Sequence, residues 1–412
     1  MEPLSQLPVL EAPAEGIPPL TQTPAELAEI SSLLAAGSGP LGVDTERAHG
    51  FRYAPKAYLI QLRRQGAGSF LIDPIAFEDG APRADLSGLA AALADAEWVI
   101  HAASQDLPCL AELGFLPERL FDTELAARLL NWPKVNLNAV TELALGVSLK
   151  KEYSAADWST RPLPKAWLNY AALDVELLQE LREWLRDALE AAGKLEWATE
   201  EFDYLVRHAG DAPAPVRDPW RRTSGLHELH TTRAMAVVRE LWLARDEIAR
   251  ATDIAPGRVV RDQAIIALAS EFDDGEPVVG PKLLHSVRGF RTKAAIGHET
   301  QWLDALRRAA GFPTRQLPRR QAPLDGIPNP RSWERRSPDS YQRWLRVRPA
   351  IIAQAEEVEV PVENLISPGA LRELLWESPA EITEATLAAS LTELKVRPWQ
   401  AALVTETILN AW

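Results

Sequence analysis

The sequence predicts an α/β sheet domain followed by all-helical modules, and three observations carry the prediction. Short apolar runs of strand length come first, between Gly42 and about Phe77, with Gly66–Ala67–Gly68 as a turn signal. Elements then alternate, which is the pattern of an α/β sheet. After Trp220 no convincing strand run remains, and helical spacing dominates between Pro and Gly breaks.

Residues 1–25 are Pro-rich and acidic and are expected to form a loose arm leading into a helix at Pro24–Ala35. Strands follow at Gly42–Glu46, Tyr58–Leu62 and Ser69–Asp73. A helix at Leu86–Ala94 leads to a strand at Trp98–Ala102, whose following helix Ser104 is placed to cap. Helices are expected at Asp106–Leu113, Asp122–Leu130 and Pro164–Leu189. The stretch Asp211–Asp218, with Pro213 and Pro215 inside and Pro219 beyond it, is expected to be a linker. The helical half repeats itself at an offset of 106, pairing Ile254/Val360, Val259/Leu365, Val260/Ile366 and Ile265/Leu371. The same offset pairs Arg291 with Arg397 and Trp302–Leu303 with Ile408–Leu409. The Pro- and Arg-rich junction Gly311–Arg336 marks a second linker. The expected units are therefore 1–25, 26–210, a linker 211–219, 220–310, a basic linker 311–330, and 331–412.

A chain of 412 residues is long enough for two to four domains. Its 46% hydrophobic and 25% charged content is that of a globular protein rather than a disordered one. No run of about 18 apolar residues exists, so no membrane span is expected. The N-terminal stretch has no Lys or Arg before Arg47, unlike a secretory signal. Cys109 is the single cysteine, which excludes an intrachain disulfide and fits a reducing cytoplasm. A net charge of −14 argues against a polyanionic partner until its distribution is resolved. Residues 281–350 hold 15 Lys and Arg against five acids, a local +10 that suits a phosphate backbone as well as a solvated linker.

Chemistry concentrates in the first 180 residues. In LGVDTE (41–46), strand alternation puts Asp44 and Glu46 on one face and Val43 and Thr45 on the other. Two carboxylates so placed form a hard-oxygen pair for Mg²⁺ or Mn²⁺. In WVIHAASQDLPCL (98–110), Asp106 lies in the first turn after a strand, where an acid also suits the helix dipole. In WLNYAALDVELL (167–178), Tyr170 and Asp174 share one helix face among apolar neighbours, which makes Asp174 a semi-buried acid. Four carboxylates gathered without metal would repel one another and raise their own pKa values. Two divalent cations would resolve that and would clamp a phosphodiester for in-line attack.

These segments resemble the three exonuclease motifs of the DEDD superfamily, with Tyr170 marking the tyrosine subgroup. FRYAPKAYLIQLR (51–63), LFDTELAARLL (120–130) and DWSTRPLP (157–164) are similar to ribonuclease D, and the helical repeats resemble its paired helicase-and-RNase-D C-terminal (HRDC) domains. The resemblance implies a ribonuclease-H-like α/β exonuclease domain with a mixed sheet, followed by two all-α HRDC-type domains. It implies that Asp44, Glu46 and Asp174 bind a first metal, that Asp44 bridges to a second, and that Asp106 holds the second through water. An attacking water positioned by the Tyr170 hydroxyl, with a cation at the leaving 3′ oxygen, would release 5′-nucleoside monophosphates from a 3′ end. The implied partners are RNA 3′ ends, single-stranded tails on structured RNA such as transfer RNA precursors, handled by a cytoplasmic monomer.

Two other readings stand beside it: a DNA 3′–5′ exonuclease, and a non-catalytic nucleic-acid-binding scaffold. Candidates for substrate contact are Thr45, His101, Lys282, Arg288, Arg291 and Lys293. His101 reads more readily as a satisfied strand-end histidine. Phe51, Tyr53 and Tyr58 are placed to stack on bases or to pack in the core. Asp157 and Arg161 are expected to pair and fix the loop before the third motif, and Asp122 to cap a helix. The tryptophans from Trp220 onward are expected to anchor helical cores.

Overall fold

The computed structural model describes residues 7–150, 153–212, 215–320, 326–377 and 382–412. Eight strands form first: β1 (Val9–Leu10), β2 (Leu20–Thr21), β3 (Ser38–Arg47), β4 (Ala57–Gln65), β5 (Gly68–Ile72), β6 (Glu97–Ile100), β7 (Arg119–Asp122) and β8 (Ser148–Leu149). Six of them make one mixed sheet in the order β2-β5-β4-β3-β6-β7. The β3–β4 and β4–β5 pairs are antiparallel, whereas β6 and β7 run parallel to β3. The central strands are covered on both faces, so Leu41, Val43, Leu59, Ile60 and Leu62 are fully buried.

Helices α1 (Pro24–Ala36), α2 (Ser87–Ala92), α3 (Leu107–Ala111), α4 (Thr123–Leu129), α5 (Leu137–Leu145), α6 (Lys165–Glu176), α7 (Leu178–Ala191) and α8 (Leu195–His208) complete this part. Thr23 caps α1 through a capping box with Glu26 and a Pro at the first turn, as the sequence pattern requires. Three expectations are corrected here. The N-terminal arm is tied down, because β2 adds a strand beside β5 and β1 pairs with β8; of the arm, residues 1–6 lie outside the described residues. The helix expected over Pro164–Leu189 breaks at Leu177, whose φ of −111° and ψ of 8° leave the helical region with no Pro or Gly to announce it. Ser104 caps nothing: it lies in a 3-10 turn at Ala103–Gln105, and α3 begins after Asp106.

No strand occurs after β8 among the described residues. A first helical module comprises α9 (Thr232–Thr252), α10 (Pro256–Val259), α11 (Asp262–Ser270), α12 (Pro281–Leu284), α13 (Lys293–Ile296) and α14 (Glu299–Gly311). A second comprises α15 (Trp333–Arg336), α16 (Pro338–Glu357), α17 (Val362–Leu365), α18 (Pro368–Trp376), α19 (Glu384–Glu393) and α20 (Pro398–Ala411). The repeat reaches the backbone itself. Asp253 and Glu359, 106 apart, both turn left-handed after the long helix, with φ of 49° and 51°. Val260 and Ile366 are matched as extended residues, with φ of −149° and −152°. The correspondence loosens afterwards, where the single helix α20 stands opposite a stretch broken between α13 and α14. Trp220, Trp302, Trp333 and Trp399 are buried anchors as expected. Of the linker segments, Pro213 and residues 321–325 lie outside the described residues.

The second module packs on α8. The Trp399 indole stacks on Trp197 with centroids 5.0 Å apart, and its Nε1 donates to Glu201 Oε1 at 2.9 Å. Arg397 Nε donates to the same oxygen at 2.7 Å, and Lys194 Nζ donates to the Glu359 carbonyl at 2.8 Å. Trp399→Ala removes this stack and leaves Glu201 buried with one partner fewer. The expected cost is about 3 kcal/mol, read as a lower urea midpoint. An unchanged midpoint would show that the module contributes nothing to stability through Trp399.

Candidate metal centre

Strand β3 supplies the first two acids, and its alternation sends Asp44 and Glu46 to the face covered by α6. The approach is close: a Cβ on Gly42 would stand 3.4 Å from the Val175 carbonyl oxygen and 3.5 Å from Leu178 Cβ. That contact sets α6 down beside β3 and delivers Asp174 to Asp44 and Glu46. One carboxylate oxygen from each of Asp44, Glu46 and Asp174 lies within 4.8 Å of the others. Burial, then repulsion from Asp106 and Asp174, holds the Asp44 carboxyl well above its usual range. Burial followed by Asp44 and Asp174 does the same to Glu46. Divalent cations held there would neutralise the repulsion that protons otherwise relieve.

Asp106 stands apart from this triad. Thr45 Oγ1 donates to Asp106 Oδ1 at 2.6 Å, and Arg47 approaches the same oxygen at 3.5 Å. Burial pushes Asp106 up to about 6, while Arg47 and Thr45 pull it down. The Thr45 side chain, expected at the substrate, is instead taken up by Asp106. Alternation turns it to the opposite face of β3, where it is buried at 5% exposure and fixes Asp106. Asp122 does the comparable work for the turn before Asp106. Its carboxylate accepts the backbone N–H groups of Ala102 and Ala103 as well as those of Glu124 and Leu125. This secures the left-handed Ala102 (φ 61°) and caps α4. His101 Nδ1 lies 2.9 Å from Thr123 Oγ1, so the histidine is a held strand-end residue.

Tyr170 sits one helical turn before Asp174 on α6 and hydrogen-bonds to it. Trp158 and Tyr153 flank its ring, with centroids 6.4 and 6.1 Å away. Burial and the three acids push its hydroxyl far above the ordinary phenol value, so it stays protonated. Arg161 does not pair with Asp157. It reaches the buried Asp73 through Nε (2.8 Å) and Nη2 (2.6 Å), and also donates to the Trp158, Thr160 and Tyr58 carbonyls. A buried carboxylate that presents both oxygens to the guanidinium fork outcompetes Asp157, which accepts instead from Ser159.

Sequence reasoning missed Gln61. It lies directly across from Asp44 in the β3–β4 register and is fully buried, yet neither its Oε1 nor its Nε2 has a protein partner. An orphaned buried amide beside three repelling carboxylates fits a site built for hydrated divalent cations. The cross-strand register was its only signal. The aromatic candidates are mostly spoken for. Tyr53 Oη donates to Asp246 at 3.0 Å, Phe51 lies 3.9 Å beneath the Arg258 guanidinium, and Tyr58 is buried in the core. Lys282, Arg288, Arg291 and Lys293 are exposed on the first helical module, away from the triad in sequence and element. Arg288, Arg258 and Arg261 line a groove of about 930 Å³ that Gly50, just past β3, closes on one side.

A mixed sheet carrying a half-buried hard-oxygen triad, a fourth acid and a protonated tyrosine defines a 3′–5′ exonuclease. Residues 20–190 match the family model described as a 3′-5′ exonuclease, and residues 234–272 the HRDC domain. Residues 326–412 match the model described as the 3′ to 5′ exonuclease C-terminal domain. A ribonuclease D of Gluconacetobacter diazotrophicus is 30% identical over 291 residues, 69% of this chain and 70% of that protein. A solved protein from Bifidobacterium adolescentis superposes with a TM-score of 0.87 at 38% identity, covering 98% of this chain and 99% of that one. Escherichia coli RNase D, described as an exoribonuclease involved in structured RNA processing, gives 0.65 at 25% identity, covering 96% and 98%. The chain belongs to the ribonuclease D family of 3′–5′ exoribonucleases. No described helix is long and apolar enough to cross a membrane.

Proposed function

We propose that this chain trims the 3′ ends of structured RNAs such as transfer RNA precursors, as a cytoplasmic monomer, and that two Mg²⁺ or Mn²⁺ ions occupy the acid cluster. The convergence of Asp44, Glu46 and Asp174 within 4.8 Å carries the reading. Asp44, Glu46 and Asp174 would hold the first ion, and Asp44 with Asp106 the second. Bound cations supply Lewis-acid stabilisation of charge on the attacking and leaving oxygens. Tyr170, kept protonated, orients the attacking water by a hydrogen bond and does not take its proton. Thr45 holds Asp106 in register, and the Trp158–Tyr153 box holds the Tyr170 ring. Residues 26–210 do the chemistry, while 220–310 and 331–412, the first of them carrying Lys282, Arg288, Arg291 and Lys293, hold the RNA. The structured-RNA substrate follows the function stated for the E. coli relative.

The test uses matched RNA and DNA oligonucleotides carrying a duplex and a short 3′ tail. RNA tails are expected to be trimmed to 5′-nucleoside monophosphates at least ~10-fold faster than DNA, because only RNA offers a 2′-OH to recognise. Equal rates would make the chain a general 3′–5′ exonuclease. Binding is expected to weaken steeply between 50 and 200 mM salt, and replacing Arg288 and Arg291 by Gln should flatten that slope by about two units. Salt-independent binding would remove the basic stretch from the RNA path.

A further inference from the structure

Beside Asp106 stands an arginine that the proposed mechanism leaves without a task. Arg47 follows Glu46 at the end of β3, past a break in the β3–β4 register, and its side chain, only 18% exposed, meets the same Asp106 oxygen as Thr45. One terminal nitrogen donates to the Gln105 carbonyl and stands 3.5 Å from Asp106 Oδ1. No other hydrogen bond or ion pair of this guanidinium is found among the described residues, which leaves its remaining N–H groups for a ligand. Its charge lowers the proton affinity of Asp44, Glu46 and Asp106 alike. Arg47 is thus a fixed cation at the corner where the second divalent ion is to sit.

A guanidinium and a divalent ion cannot both lie against one carboxylate oxygen without strong repulsion in a half-buried site. A freed guanidinium, in contrast, has the planar fork that grips a phosphate through two N–H groups. We propose that Arg47 stands in for the second cation at Asp106 in the ion-free protein and turns to a phosphate oxygen of the terminal nucleotide when that cation binds. This rests on the two-ion reading given above. It makes Arg47 a competitor of the metal before substrate arrives and a holder of substrate afterwards. The bland alternative is a strut that only fixes the Gln105–Asp106 turn to β3.

The experiment measures Mn²⁺ binding to the full chain by calorimetry without RNA, then adenosine 5′-monophosphate binding at saturating Mn²⁺. In Arg47→Gln the weaker Mn²⁺ site should tighten about 3- to 10-fold, since the competing charge is gone, while the monophosphate should bind about 10-fold more weakly. Arg47→Lys keeps the charge but not the fork. It should leave the Mn²⁺ affinities near those of the parent and weaken the monophosphate alone. A strut would lower the melting temperature of Arg47→Gln and leave both affinities unchanged, which would overturn the proposal. Loss of the weaker Mn²⁺ site in either variant would overturn it too, and if Arg47→Gln does not fold, Arg47→Lys decides by the same two affinities. If the parent protein binds no Mn²⁺, it is the two-ion reading that fails.

Discussion

Asp44→Asn is expected to abolish 3′-end trimming, by at least ~10³-fold, while raising the thermal stability of the chelated protein. The two effects share one cause. Asp44 feels the charges of both Asp174 and Asp106, so under the two-ion proposal its charge serves both cations and, without them, adds to the repulsion. The sign follows from linkage. Asp44, Glu46 and Asp106 bind protons more tightly folded than unfolded, so their contribution to stability falls as pH rises from the ordinary carboxylate range through about 6, the Asp106 value. The loss continues as the higher-lying Asp44 and Glu46 ionise in turn, so the repulsion in the ion-free fold grows with pH, and Asn at position 44 removes part of it without changing shape. In chelator at pH 7.5 the variant should therefore melt several degrees higher than the parent, with the difference shrinking towards pH 5. Adding Mn²⁺ should raise the melting temperature of the parent much more than that of the variant. Trimming at the parent rate, or a variant that melts lower in chelator at pH 7.5, would remove Asp44 from the centre of the cluster.

Tyr170→Phe is expected to lower kcat by about 10²-fold with little change in KM or in Mn²⁺ affinity. The ring keeps its place, because Trp158, Tyr153 and the core beneath α6 hold it by shape. What goes is a single hydroxyl whose pKa burial and neighbouring acids push far above the ordinary phenol value of about 10. Such a group donates and orients; it does not become a base in the working pH range. The pH–rate profile of the parent should accordingly show no alkaline limb from tyrosinate below pH 10. An unchanged kcat would exclude the hydroxyl from the reaction, and a limb near pH 8 would make it a base after all.

The acids were legible early because each motif advertises a geometry of its own. Period-two alternation put Asp44 and Glu46 on one face of β3, and i, i+4 spacing put Tyr170 over Asp174 on α6. Strand length and apolar content placed β3 to β6 within a few residues. β2 and β7 escaped notice since a Leu-Thr pair and an Arg-Leu-Phe-Asp run have no periodicity to detect. Their pairing is supplied by neighbours distant in the chain, β5 and β6. The break at Leu177 escaped for a related reason, since packing of α6 and α7 against β3 bends a segment whose local preference is helical throughout.

The sequence alone therefore determined strands β3 to β6, the all-helical character of the second half and the faces that carry Asp44, Glu46, Tyr170 and Asp174, all of which are properties of spacing. Tertiary structure decided the company each side chain keeps. It set Thr45 and Arg47 on Asp106, Gln61 unpartnered across from Asp44, Arg161 on Asp73 instead of Asp157, and Phe51 and Tyr53 against the first helical module. Periodicity fixes which face a residue occupies, but the partner on that face comes from whichever element packs there. That choice depends on contacts between residues far apart in the chain, which no local pattern records.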